Sequence, residues 1–154
     1  EKLYPYIYDE IDKLSQKYKN NNLLLTGHSM GASIASLFAY NLSKSIYNIT
    51  LVTFGSPRVG NYEFVQDFFT QKILSLRITH YYDIVPHLPQ YNLNYHHLPN
   101  EIWYNENNTD YKICNNINLN EDDTCSNSCY PRSCTSIQDH LYYLNITFGS
   151  EGSC

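Results

Sequence analysis

The chain has 154 residues, 42% of them apolar, and a formal net charge of -5, which suits one compact unit with a single core. That acidic balance offers no basic footprint for nucleic acid, and no run approaches the roughly eighteen apolar residues of a membrane span. It also gives no electrostatic pull toward anionic membranes, so any transient contact with a membrane or lipid interface must be hydrophobic.

In chain order, Leu3 to Tyr18 predicts one amphipathic helix, with Leu3, Ile7, Ile11, Leu14 and Tyr18 on a shared face. Asn22–Thr26 is a short apolar run between polar residues and reads as a buried parallel strand. After Gly27-His28-Ser29-Met30-Gly31, apolar residues Ala32, Ile34, Ala35, Leu37, Phe38 and Leu42 recur at helical spacing over Ala32–Ser43. Ile49–Gly55 predicts a second strand. Tyr62–Gln71 predicts a helix carrying Phe64, Val65, Phe68 and Phe69, and Ser75–Tyr82 a third strand. Strands and helices alternating in this way predict half of a doubly wound parallel sheet. Beyond Pro86 the chain reads as irregular, with a hairpin through Ile102–Tyr104 and Tyr111–Cys114 and then a cysteine-rich loop.

Three residues stand out for their chemistry. The pentapeptide G-x-S-x-G around Ser29 arises by chance in about one chain in twenty of this length, so its setting decides. Strand, sharp turn and helix is the setting in which a nucleophilic serine is lifted out of a sheet. Gly27 and Gly31 are expected to let strand and helix approach, and the Met30 N–H, at the amino end of a helix, is a natural oxyanion donor. Asp83 lies just past the carboxyl end of a strand, where open α/β sheets build their sites. His140 precedes the apolar Leu141-Tyr142-Tyr143-Leu144 and suits a base delivered by a late loop. Ser29, Asp83 and His140 follow one another in the order an α/β-hydrolase uses for nucleophile, acid and base.

The other histidines are weaker candidates. His28, inside the elbow, should point away from the nucleophile, and His80 reads as a satisfied core group or one that supports the site from behind. His87, His96 and His97 cluster near prolines, but without a recognised metal-ligand spacing. Among the acids, Asp139 should point away from its neighbour His140, while Asp122 and Asp123 look solvated. The cysteines are Cys114, Cys125, Cys129, Cys134 and Cys154, clustered in a polar carboxyl-terminal region. They suggest disulfides rather than catalysis, a zinc site at Cys125, Cys129 and Cys134 being the competing reading. Sequons at Asn41, Asn48, Asn107 and Asn145, with the disulfides, favour a secreted or lumenal protein.

Together these segments resemble the class 3 (fungal-type) lipases. The resemblance runs through Leu25–Ser33, Thr53–Asn61, Arg77–Pro89, Tyr95–Tyr104 and Asp139–Tyr143. It differs at Met30, where Leu is more usual, and at His87, where Arg is common. It implies an α/β-hydrolase-type parallel sheet flanked by helices and hydrolysis of carboxylic esters in lipids, without metal or organic cofactor. Ser29, Asp83 and His140 carry over as the triad and Met30 as one oxyanion donor. The resemblance pairs Cys114 with Cys125, leaves Cys129 with Cys134 for a small extra loop, and leaves Cys154 over. Members of the family extend well upstream of the nucleophile, where they hold a lid and a second oxyanion donor. Residues 1–154 therefore read as the carboxyl-terminal part of one such domain. A phospholipase A1 or other esterase on this scaffold is the alternative within enzymes. A non-catalytic lipase-like binding domain is the alternative outside them. No protein partner is indicated.

Overall fold

The structure is a computed structural model and describes residues 4–115 and 121–149. Helix α1 (Tyr4–Tyr18) leads into strand β1 (Asn22–His28), helix α2 (Met30–Leu42), strand β2 (Asn48–Phe54), helix α3 (Tyr62–Thr70) and strand β3 (Ile73–His80). Strands β4 (Glu101–Tyr104) and β5 (Tyr111–Ile113) complete a five-stranded sheet in the order β1-β2-β3-β4-β5. The first four strands are parallel and β5 pairs antiparallel to β4. A four-residue helix α4 (Ile137–His140) and a two-stranded ribbon, β6 (Tyr142–Tyr143) and β7 (Ile146–Thr147), close the described chain.

The register explains where the core sits. Leu23, Ile49 and Ile73 lie side by side across β1, β2 and β3, and Leu25 lies beside Leu51. All five belong to the cluster that packs under Tyr8 and Ile11 of α1, Ala39 and Leu42 of α2, and Val65 and Phe68 of α3. The three helices therefore cover one face. The buried face of α2 is mostly small, with Ala32, Ser36, Ala39 and Leu42 in step, so the helix lies close to the sheet. Full burial of side chains such as Leu42, Leu51 and Phe68 contributes about 1.5–3 kcal/mol each.

Several expectations need correction. Among the described residues, β1 stands at the edge of the sheet and is only partly buried. Leu24 shares a cross-strand row with Thr50 and Leu74 on the face away from the helices, and Leu24 is 67% exposed. The face of α1 is also rotated: Tyr4, Tyr8, Ile11 and Ser15 are half-buried, whereas Ile7, Leu14 and Tyr18 are exposed. Aromatic contacts of Tyr4 with Phe38 and Tyr8 with Tyr47 set that rotation, together with a hydrogen bond from the Tyr47 hydroxyl to Asp12. In α3, Phe69 is exposed while Val65 and Phe68 are buried. The expected hairpin is present, but its first strand also extends the parallel sheet. Arg77 and Glu101 lie opposite each other in β3 and β4 and pair at 3.1 Å in the interior.

Disulfides join Cys114 to Cys125 and Cys129 to Cys134. The zinc reading of Cys125, Cys129 and Cys134 fails because these sulfurs are already committed to bonds with other sulfurs. Asp122 is not merely solvated. It is half-buried, with its carboxylate accepting from the Asn115 and Thr124 backbone N–H groups, and the Thr124 contacts hold its pKa below the usual range. Cys154 and Leu3 lie outside the described residues. The four sequon asparagines are all exposed.

Candidate active site

Ser29 sits between β1 and α2 with φ 57° and ψ -127°, a backbone conformation that an L-residue rarely adopts. Its N–H donates to the Phe54 carbonyl at 3.0 Å, so the turn is fixed to the neighbouring strand. Gly27 is required by sterics, since a Cβ there would lie 2.4 Å from the Gly31 backbone. The matching expectation for Gly31 is not met, because a Cβ on Gly31 meets nothing within 4 Å. Strand and helix are thus brought together at one glycine, not two. Met30 opens α2, where the first N–H groups have no preceding turn to bond, and its side chain is exposed.

Asp83 and His140 arrive from opposite directions. β3 ends at His80, and a turn through Tyr81 and Tyr82 carries Asp83 to the carboxyl end of the sheet. The Ser136 N–H donates to the Tyr82 carbonyl, and the Ile84 N–H donates to the Ser136 carbonyl. These bonds dock the segment leading into α4 beside Asp83. Ser136 also caps α4, its hydroxyl accepting from the Asp139 N–H. His140, at the end of that short helix, then reaches both partners. Its Nδ1 is 2.9 Å from Asp83 Oδ2, and its Nε2 is 2.8 Å from Ser29 Oγ.

The carboxylate is held further. Val85 N–H donates to Asp83 Oδ1 at 2.8 Å, and the Tyr143 hydroxyl donates to Oδ2 at 2.6 Å. Burial and the adjacent Asp83 charge push the Tyr143 pKa well up, so this hydroxyl keeps its proton and remains a donor. Gly55, with φ +52°, completes the arrangement. A Cβ there would lie 2.9–3.0 Å from Asp83 Oδ2, His140 Nδ1 and the Tyr143 hydroxyl. Neither Tyr143 nor Gly55 was singled out from sequence. A tyrosine in an apolar run and a glycine ending a strand give no local signal of a shared carboxylate.

The remaining histidines separate cleanly. His80 is buried, with Nδ1 2.9 Å from the Asp139 carbonyl and Nε2 3.0 Å from the Asn108 side-chain amide, a satisfied core group as expected. Asp139 turns its carboxylate to the Tyr82 N–H, which donates to it at 3.3 Å. His97 donates from Nε2 to the Pro86 carbonyl, while His96 contacts Asn94, Tyr62 and Tyr91. His28 packs beside His140. Its ring stacks on that of His140, with centroids 4.5 Å apart. Among the described residues, two groups bring three metal-capable donors together, His87/Cys129/Cys134 and Cys114/Asp122/Cys125. In each, the two cysteines are bonded to one another.

Comparison with known proteins decides the family. The model for Lipase (class 3) matches residues 1–93. The chain belongs to the class 3 lipase family. A lipase of Caenorhabditis elegans is 34% identical, over 99% of this chain and 52% of its own length. A secreted mono- and diacylglycerol lipase of Fusarium solani is 42% identical, over 52% of this chain and 24% of its own. Among solved structures, lipase II from Rhizopus niveus superposes with a TM-score of 0.87 at 30% identity, over 97% of this chain and 57% of that one. The chain spans about half the length, or less, of the relatives it matches. The sheet and its helices are thus those of the lipase α/β fold.

Proposed function

We propose that this chain carries the catalytic half of a lipase, a serine ester hydrolase acting on acylglycerol-type lipid esters. The observation that carries the reading is one continuous relay, Ser29 Oγ to His140 Nε2 and His140 Nδ1 to Asp83, on a backbone turn strained at the serine. A strained turn that persists is one its surroundings hold in place. Membership of a lipase family and the acylglycerol lipase among its relatives support the substrate class.

The reaction is acyl transfer in two steps. His140 takes the Ser29 proton as the hydroxyl attacks the ester carbonyl, and the Met30 N–H donates to the oxyanion that forms. Asp83, oriented by Val85 and Tyr143, accepts the His140 Nδ1–H and stabilises the imidazolium. The imidazolium then protonates the departing alcohol. Water repeats the sequence on the acyl-enzyme, releasing the fatty acid and restoring Ser29.

The chain is read as the carboxyl-terminal part of a single lipase-like domain. β1 has no neighbour on its outer side among the described residues, and Leu24 and Leu74 are exposed on the sheet face opposite the helices. An upstream segment is expected to cover both and to supply a second oxyanion donor. Two disulfides and a secreted relative support passage through the secretory pathway, with the exposed Asn41, Asn48, Asn107 and Asn145 as glycan acceptors.

Ser29→Ala in the full-length protein is expected to abolish both turnover of a chromogenic ester and covalent labelling by an organophosphonate. Retention of both by the variant overturns the assignment.

A further inference from the structure

The nucleophile and the base come from distant parts of the chain, and neither element fixes their separation alone. Ser29 is on the turn that follows β1, while His140 ends a helix of only four residues. So short a helix has little stability of its own. A misplacement of about 1 Å at such a pair costs on the order of a hundred-fold in rate. The register between the two elements therefore needs a direct tie.

His28 has the position for it. It is the last residue of β1 and is joined by a peptide bond to Ser29. Its Nε2 lies 2.7 Å from the backbone carbonyl of His140. A carbonyl only accepts, so Nε2 carries the hydrogen and donates. The imidazole also stacks on His140 at 4.5 Å and on Phe148 at 4.0 Å, and meets Tyr143 edge-on at 5.7 Å. Phe148 is brought back by the β6–β7 ribbon and by its own N–H, which donates to the Leu141 carbonyl at 2.8 Å. The residue before the nucleophile thus grips the base at its backbone and its ring, and also touches the tyrosine that orients the acid. Burial holds the His28 pKa below its ordinary value, which keeps a competing positive charge away from the imidazolium formed at His140.

We propose that His28 is a positioning residue for ester hydrolysis. By donating from Nε2 to the His140 carbonyl, it sets the distance between the base and the Ser29 hydroxyl. The proposal rests on the Ser29–His140–Asp83 reading above. It assigns the tie to one ring nitrogen, and that makes it testable by amides of two lengths. A Gln side chain places its N–H₂ as many bonds from Cα as His Nε2, whereas Asn places it one bond short.

The test compares His28→Gln, His28→Asn and His28→Phe in the full-length protein, with melting temperature recorded for each. His28→Asn and His28→Phe are expected to lower kcat by about 30-fold with KM within about two-fold, and His28→Gln to recover to within about five-fold of wild type. Phe keeps the stack and lacks the donor, so its loss isolates the hydrogen bond. A Gln variant no better than Asn, a loss residing in KM, or full activity in all three overturns the proposal. The low-field proton resonance of the His140–Asp83 bond is read on the same proteins and needs no turnover. It should persist in wild type and His28→Gln and weaken in His28→Asn. An unchanged resonance in all variants overturns the positioning role. A wild-type protein that neither hydrolyses esters nor takes an organophosphonate overturns the catalytic reading instead.

Discussion

At the scale of single residues, the buried carboxylate of Asp83 sets the demands. It is 2% exposed, and its Oδ2 receives both the His140 N–H and the Tyr143 hydroxyl, while Oδ1 receives a backbone N–H. A buried charge with both oxygens hydrogen-bonded is tolerable; one left short is costly. Tyr143→Phe removes one donor and leaves the bond to His140. Turnover is expected to fall about ten-fold, the scale of one hydrogen bond to a charged group. Asp83→Asn removes the charge that stabilises the imidazolium, and its loss should be far larger, on the order of 10⁴-fold. Steady-state kcat on a soluble ester ranks the two. Equal losses would mean that Tyr143 supports the charge as much as Asp83 itself does, contrary to this geometry.

At the scale of elements, β4 depends on an ion pair inside the sheet. Arg77 and Glu101 are cross-strand neighbours, both nearly fully buried, and Thr79 Oγ1 donates to the same carboxylate at 2.6 Å. Arg77 Nη1 has no hydrogen-bond partner among the described residues, so little slack remains in this network. Glu101→Ala would leave the guanidinium charge uncompensated and is expected to cost about 3–5 kcal/mol in urea unfolding. Arg77→Met combined with Glu101→Leu should recover most of that. A double variant as unstable as the single one would assign the loss to packing rather than to charge. This pairing also shows where the sequence was silent. β1, β2, β3 and their two helices were legible because each announces itself by local periodicity, and the serine turn because its flanks switch from strand to helix. The pairing of β4 with β3 is non-local, made across an irregular crossover from Asp83 to Asn100 that carries no helix of α type. The rotated face of α1 was hidden for a related reason. Tyr4 and Tyr8 pack against Phe38 and Tyr47, partners further along the chain that the periodicity of one helix does not encode. The chain order of Ser29, Asp83 and His140, which the fold brings into contact, was readable; the contacts of His28 were not, because a ring stacked across more than a hundred residues leaves no trace in spacing.

At the scale of the whole molecule, two buried imidazoles tie stability to acidity. Burial, reinforced by the Arg58 charge, pushes the His87 pKa down to about 4, and burial with Arg77 pushes that of His97 well below its ordinary value. His87 stacks beside Tyr130, and its Nδ1 lacks a hydrogen-bond partner among the described residues, so a proton gained there finds no acceptor, and the Glu121 and Glu101 charges offset its cost only in part. Both side chains are therefore neutral in the fold at pH 7, yet each titrates near pH 6.5 once unfolded. Between those values the unfolded chain binds more protons than the native one, so stability must rise with pH. The contribution of His87 is fully present above about pH 6.5 and is lost as the pH falls to about 4, on the order of 3 kcal/mol in all. His87→Gln keeps a polar side chain of similar reach and cannot charge. Melting temperatures measured from pH 7 to 4.5 should fall less steeply for this variant than for wild type, the curves converging toward the acid end as wild type loses its advantage. Carboxylates titrate in both proteins and cancel in the difference. Parallel curves over that range would show that His87 is protonated without penalty, and that the pocket around Tyr130 accommodates the charge.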